Sequence, residues 1–321
     1  MKIEKINLYP KKSNVTLTTY LWDDSSEMLK GKVRPAVIIA PGGGYFSCSD
    51  REAEPLALRF ASMGYHAFVL NYTTYMDGEL EFPDLSKPLE IKSDKTYPQQ
   101  IRDLGAAFLE IHKHAQEWLV DTERIAIAGF SAGGHNAALY ATSWDKPVIA
   151  DYFRKPVLKF RPAAVILGYP VVDYSFMAKY TQRSMNEMDA SFHAAAFRAF
   201  LGEKATDEAT LKLVSPNLQV NKNTPPMFIW ATAEDPLVPV QNSLRLANAL
   251  ADSKVPFELH VFEKGGHGLS LANQASSEAK SQINPDVAKW ADLVQAWLEK
   301  RFALNLPSLS AFEEMVKEDT E

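Results

Sequence analysis

The sequence predicts an α/β protein, with a mostly parallel central sheet, helices on both of its faces and a small helical insertion. Three observations predict it. Short apolar runs rich in β-branched residues recur along the chain, each the length of a strand buried on both faces. Between them lie stretches whose apolar residues return at helical spacing, and this alternation of strand and helix marks a sheet covered on both sides. The third is capacity: 321 residues, 46% of them hydrophobic and 11% aromatic, can bury one large core.

Residues 2–9 and 15–22 alternate apolar and polar side chains and are separated by Pro10, Lys11, Lys12, Ser13 and Asn14, which reads as an antiparallel hairpin at the sheet edge. Core strands are expected at 36–40, 66–71, 124–128, 163–167, 227–231 and 257–262. A helix over 52–63 should stop at Gly64, a residue that accepts the left-handed conformation of a helix end. The pattern over 99–118 places Ile101, Leu104, Phe108 and Ile111 on one face, and helices at 243–251 and 287–302 repeat it, the latter through Val287, Trp290, Val294 and Trp297. Between 172 and 226 the rhythm breaks into polar residues, Met177, Met185 and Met188, and a cluster of Phe192, Phe197 and Phe200; this predicts a helical insertion lying over the sheet. Residues 1–302 thus read as one domain carrying that insertion. Residues 303–321 form an acidic tail in which Ser310-Ala311-Phe312-Glu313 is a capping box able to start a terminal helix.

Composition removes several function classes. The formal net charge is −6 and no run of Lys and Arg occurs, so a general grip on nucleic acid phosphates is not expected. No stretch reaches the roughly 18 continuous apolar residues of a membrane span. The single cysteine, Cys48, cannot form an intramolecular disulfide, and MKIEKINLYP lacks the apolar run of a secretion signal, so a cytoplasmic location is expected. Cys48 has no basic neighbour in sequence and reads as a passive small residue. A homo-oligomer is compatible with the sequence.

The chemistry concentrates where 124–128 runs into Gly129-Phe130-Ser131-Ala132-Gly133-Gly134-His135, followed by the helix-prone Asn136-Ala137-Ala138-Leu139. Strand, G-x-S-x-G turn and helix follow in the order of a nucleophile elbow, with Ser131 presented at a helix N-terminus. A serine hydroxyl is a weak nucleophile and needs a base. His267 sits among glycines in Glu263-Lys264-Gly265-Gly266-His267-Gly268, directly after the last expected strand. His112 and His114, two apart on a helix, lie on different faces and read as solvated rather than as paired metal ligands. His66 and His260 belong to strands, and His135 points along its helix; no metal or cofactor is expected.

The base needs an acid to hold its tautomer. Asp235 follows the strand 227–231 in Asp235-Pro236-Leu237-Val238-Pro239, and the order Ser, Asp, His matches the elbow arrangement. Asp173, which ends the preceding strand, competes for the role; its plainer reading is a loop-capping carboxylate. Acyl transfer also requires oxyanion donors, usually backbone N–H groups. Pro41-Gly42-Gly43-Gly44-Tyr45 ends an early strand, and the amides of Gly43, Gly44, Tyr45 and Ala132 are the candidates. The loop lacks both the Gly-Lys-Ser/Thr ending and the G-x-G-x-x-G helix start of phosphate-binding loops. Tyr45, Phe46 and the insertion's Phe176 are the expected substrate-contacting side chains, crowding the site toward short acyl groups such as acetyl.

Together, Pro41 to Tyr45, Tyr97-Pro98 with Asp103, Gly129 to His135, Asp235 to Pro239 and Gly265 to Gly268 make the chain resemble the bacterial acetyl-esterase and lipase-like branch of the α/β-hydrolases, close to carboxylesterases and carbohydrate deacetylases. Two positions depart from relatives: Pro41 replaces the histidine of an HGGG motif, and Asn136 stands where an apolar residue is usual, so the polarity beneath the elbow should differ. The resemblance implies hydrolysis of small acyl esters through an acyl-enzyme, without a cofactor, on acetylated sugars, hydroxycinnamoyl esters or simple aryl esters. A small-molecule ester is then the partner. Two rivals remain. Prolyl-oligopeptidase-type peptidases share this order of elements but usually carry a large N-terminal propeller, whereas the first core strand here is expected at Ala36. A hydrolase-like binding protein generally loses part of the triad, which is intact here.

Overall fold

The computed structural model describes residues 1–79 and 81–318. Its centre is an eight-stranded sheet formed by β1 (Lys5–Tyr9), β2 (Lys12–Tyr20), β3 (Arg34–Ala40), β4 (His66–Asn71), β5 (Val120–Phe130), β6 (Ala164–Gly168), β7 (Met227–Thr232) and β8 (Phe257–Phe262). The spatial order is β1-β2-β4-β3-β5-β6-β7-β8. β1 and β2 pair antiparallel, as does β2 with β4; every pairing from β4 to β8 is parallel. The expected edge hairpin and mostly parallel sheet are both present. β5 begins at Val120, four residues before the apolar run that marks it in sequence. The extra length is polar Asp121-Thr122-Glu123, joined to the sheet where Arg34 pairs with Val120.

Successive side chains of a strand point to opposite faces, and the core divides accordingly. Ile38, Ile127 and Ile229 enter one apolar layer, while Val37, Ile39, Ala126, Ala128, Phe228 and Trp230 enter the other. The first layer is closed by α2 (Gln99–His114), α3 (Ala132–Ala141) and α8 (Gln241–Asp252); the second by α1 (Glu54–Ser62) and α10 (Trp290–Phe302). α1 ends beside Gly64 at φ 91°, the expected left-handed stop. Trp230 of β7 stacks on Trp290 of α10 at 5.2 Å, both fully buried; truncating either would cost about 3–5 kcal/mol. The single helix expected over 287–302 is two, α9 (Pro285–Ala288) and α10; Asn284 starts the first by accepting the amides of Asp286 and Val287.

α4 (Pro147–Phe153) packs beside α2. The segment after β6 carries α5 (Tyr174–Ser184), α6 (Glu187–Leu201) and α7 (Glu208–Leu213), each capped by an acceptor side chain: Asp173, Asn186 and Asp207. Near the C-terminus, Ser310 and Glu313 make the reciprocal bonds of a capping box at the start of α11 (Ala311–Glu318). The last three residues of the expected tail lie outside the described residues. Among the described residues no helix is long and apolar enough to cross a membrane.

Candidate active site

β5 runs into a sharp turn at Ser131, whose backbone sits at φ 51°, ψ −118°, before α3 begins. Its amide donates to Gly168 O at 3.0 Å, pinning the turn to β6. The flanking glycines are required by space. A Cβ on Gly129 would stand 2.3 Å from Gly133 O, and one on Gly133 would stand 2.1 Å from Ala40 O. The elbow can therefore form only where helix and strand backbones nearly touch.

Ser131 Oγ lies 2.8 Å from His267 Nε2, and His267 Nδ1 lies 2.7 Å from Asp235 Oδ2. A carboxylate at Nδ1 assigns the proton to that nitrogen, leaving Nε2 to accept from the serine. Asp235 is held in turn by its other oxygen, which accepts the amides of Leu237 at 3.0 Å and Val238 at 2.9 Å. Burial pulls the pKa of His267 down, but the charge and hydrogen bond of Asp235, helped by the charge of Glu52, lift it above the ordinary histidine value.

The glycine loop bends through Gly43 at φ 128°, Gly44 at φ 62° and Tyr45 at φ 64°. Among the described residues the amides of Gly43, Gly44, Tyr45 and Ala132 donate to no acceptor. Gly44, Tyr45 and Ala132 line, with Ser131, a cleft of about 30 Å³. A much larger hollow of about 710 Å³ lies between residues 26–32 and 305–314, but it shares no residue with the serine's cleft. We take the small cleft as the site, since chemistry and not size locates it.

The three side chains expected to meet substrate are placed differently. Tyr45 lines the cleft and is almost fully buried. Its hydroxyl donates to His135 Nδ1 at 2.5 Å and its ring stacks on Phe200 at 4.3 Å. Phe46 is fully buried behind the cleft, against Gly44 and against Phe192, 5.5 Å away between ring centres. Phe176 is not in the cleft: Arg245 covers its ring at 4.5 Å, held by Asp173 at 3.3 Å. In their place stand Phe192, His193 and Phe197 of α6, with Tyr174 and the Leu237-Val238 pair. The cluster Phe192, Phe197, Phe200 was visible in sequence, but not which member faces the serine.

The other candidates resolve as structural parts. Asp173 caps α5 through Phe176 N at 2.8 Å and accepts Asn217 Nδ2 at 3.0 Å. His135 is clamped between Tyr45 and Val214 O, and burial pushes its pKa down to about 4. His66 accepts Trp22 N, His260 pairs with Glu258, and His114 sits between Glu110 and Glu117. Cys48 is half-buried, and burial pushes its thiol up to about 12. Asn136 is fully buried beneath the elbow with both amide atoms unpartnered among the described residues. Among the described residues no cluster of His, Cys, Asp or Glu is placed to hold a metal.

A mostly parallel sheet with a serine elbow, a histidine after the last strand and helices on both faces is the α/β-hydrolase fold, and solved structures agree. The carboxylesterase Cest-2923 of Lactobacillus plantarum WCFS1 superposes with a TM-score of 0.76 at 30% identity, covering 95% of this chain and 100% of that one. An acetyl ester-xyloside bifunctional hydrolase from Caldicellulosiruptor lactoaceticus gives 0.70 at 30% identity, over 92% of this chain and 96% of its own. The chain belongs to the BD-FAE family, which matches residues 26–250. It is 38% identical over 245 residues to endo-1,4-beta-xylanase B of Butyrivibrio fibrisolvens, a match spanning 75% of this chain and 33% of that protein. With the acetylxylan esterase of Xylanibacter ruminicola it shares 24% identity, over 81% of this chain and 46% of the relative. The chain thus spans less than half the length of these two curated relatives.

Proposed function

We propose that this chain is a carboxylic ester hydrolase of the serine type, cleaving short acyl esters through an acyl-enzyme on Ser131. The observation that carries this reading is the continuous hydrogen-bonded line from Ser131 Oγ through His267 to Asp235, beside a cleft edged by free amides. Ser131 Oγ attacks the ester carbonyl while His267 Nε2 takes its proton, and Asp235 stabilises the imidazolium that forms. The amides of Ala132 and of Gly44 or Tyr45 receive the developing oxyanion. Collapse expels the alcohol, protonated by His267. Water then attacks the acyl-enzyme by the same route, releasing the acid and restoring Ser131.

The cleft of about 30 Å³ supports a small acyl group, since that space takes little more than one or two water molecules. Acetyl fits this limit. The names of the xylan-directed and acetyl-ester relatives favour an acetylated carbohydrate as the alcohol part. A screen varying acyl length and alcohol separately, run beside aminoacyl anilides, tests the proposal: acetyl esters should lead. Preference for anilides would move the chain to the peptidases, and no labelling of Ser131 by a fluorophosphonate would remove the serine mechanism.

A further inference from the structure

We infer that Glu52 is a positioning residue of this site: its buried carboxylate joins the amide loop to the loop of the base and sets a second negative charge beside His267. The inference rests on the serine-esterase reading. Glu52 stands on the short 3-10 turn Asp50–Glu52 between the glycine loop and α1, and it is 3% exposed. Oε2 accepts the amide of Gly42 at 2.6 Å, and Oε1 accepts the hydroxyl of Tyr169 at 2.5 Å. A Cβ on Gly42 would lie 2.6 Å from Oε2 and 2.9 Å from Ser131 Cβ, so this glycine is packed against both the carboxylate and the elbow.

Tyr169 extends the link to the base. Its hydroxyl accepts the amide of Ser270 at 2.9 Å, and its ring meets the His267 ring edge-on at 5.0 Å. Arg51 works on the same loop, donating to Gly268 O at 2.8 Å and Ser276 O at 2.9 Å, while Ser270 Oγ donates to the Arg51 carbonyl at 2.6 Å. Two consecutive residues therefore hold the segment that follows His267, and the first of the amide-loop glycines is tied to the same turn.

A hydrogen-bonded carboxylate is a costly way to build such a link, because burial opposes its charge and Glu52 has no Lys or Arg partner at ion-pair distance among the described residues. A neutral amide could satisfy Gly42 equally well. The charge gains its use when a positive group appears beside it, and the imidazolium of His267 is that group in the transition state. The groups facing His267 are Asp235 after β7, Glu52, Tyr169 after β6 and His193 on α6. Those facing Glu52 are Tyr169, His267, Arg51, Cys48 and Tyr72. Burial raises the Glu52 pKa, and the bonds from Tyr169 and Gly42 pull it back toward the charged form.

The test is kcat/KM for p-nitrophenyl acetate as a function of pH, with thermal melting as a fold control, for wild type, Glu52→Gln, Tyr169→Phe and the double variant. Fluorophosphonate labelling of wild type comes first; a chain that neither labels nor turns over esters loses the esterase reading and this inference with it. With an active wild type, Glu52→Gln should lower kcat/KM by about 10²-fold, the usual cost of small misplacement, and move the acid limb to lower pH. Tyr169→Phe should do the same more weakly, and the double variant should lose less than the product of the two. An unmoved acid limb in Glu52→Gln overturns the inference, whether or not the rate falls. Should Glu52→Gln fail to fold, Tyr169→Phe decides: wild-type rate and acid limb there overturn it.

Discussion

The two walls of the cleft differ in how they are made. On the sheet side, Ser131, Asp235 and His267 each follow the carboxyl end of a strand; glycine contacts and backbone amides fix the first two, and the side chains of Arg51 and Tyr169 hold the loop after His267. On the cover side, α6 presents Phe192, His193 and Phe197 chiefly through side-chain packing, with His193 Nε2 donating to Leu237 O at 2.8 Å and Phe192 lying 2.8 Å from where a Gly44 Cβ would be. The residues proposed to do chemistry are thus held by tight turns and hydrogen bonds, and those that edge the cleft chiefly by interdigitated rings. The difference implies that changes on the sheet side should abolish turnover, whereas changes on the cover should retune it.

The sharpest break of that contrast is Ser131→Ala. It should lower kcat by roughly 10⁵–10⁶-fold with the fold retained, as read by residual esterase activity and circular dichroism. Next comes the pair of acids. Asp235→Asn should cost about 10⁴-fold in kcat, while Asp173→Asn, which keeps a capping oxygen but loses the ion pair with Arg245, should leave turnover nearly intact and lower stability by about 1 kcal/mol or less. Because His267 must be neutral to act and its pKa is raised, activity should climb through an acid limb above 6.5. Asp235→Asn should shift what remains of that limb downward; a limb at or below the ordinary histidine value in wild type would contradict the geometry. The smallest rate effect belongs to the cover. Phe192→Ala should raise the butyrate-to-acetate rate ratio by roughly tenfold, whereas Phe176→Ala should leave the chain-length profile unchanged. The reverse pair of outcomes would return Phe176 to the pocket.

How much of this was legible in sequence follows the same division. The elbow, the acid and the base announce themselves because strand, glycine and reactive residue lie within a few positions of one another, and parallel pairing brings the strand ends together. The plainer reading of Asp173 as a cap was also available, since a polar residue precedes a helical pattern there. Phe176 and Phe192 could not be told apart: both are aromatic residues of one insertion, and which faces Ser131 depends on how α6 rolls against Phe46 and Gly44 far away in sequence. The conformation of Tyr45 was not legible either. A tyrosine at φ 64° turns its side chain away from the direction an extended loop would give it, and sequence carries no sign of that conformation in a residue other than glycine. Glu52 passed as an ordinary helix-start residue because its partners, Gly42 and Tyr169, meet only in the folded sheet.

Ser131 itself is held at φ 51°, ψ −118°, a region in which only glycine rests comfortably. Such a residue stores roughly 1–3 kcal/mol of conformational strain. Catalytic loss and thermal robustness should therefore travel together at this position. Ser131→Gly and Ser131→Ala remove the same hydroxyl, yet only the first releases the backbone, so the glycine variant should melt at the higher temperature in a calorimeter, and equal melting would place the strain elsewhere. On the esterase reading, the serine then occupies a position where folding alone would favour glycine.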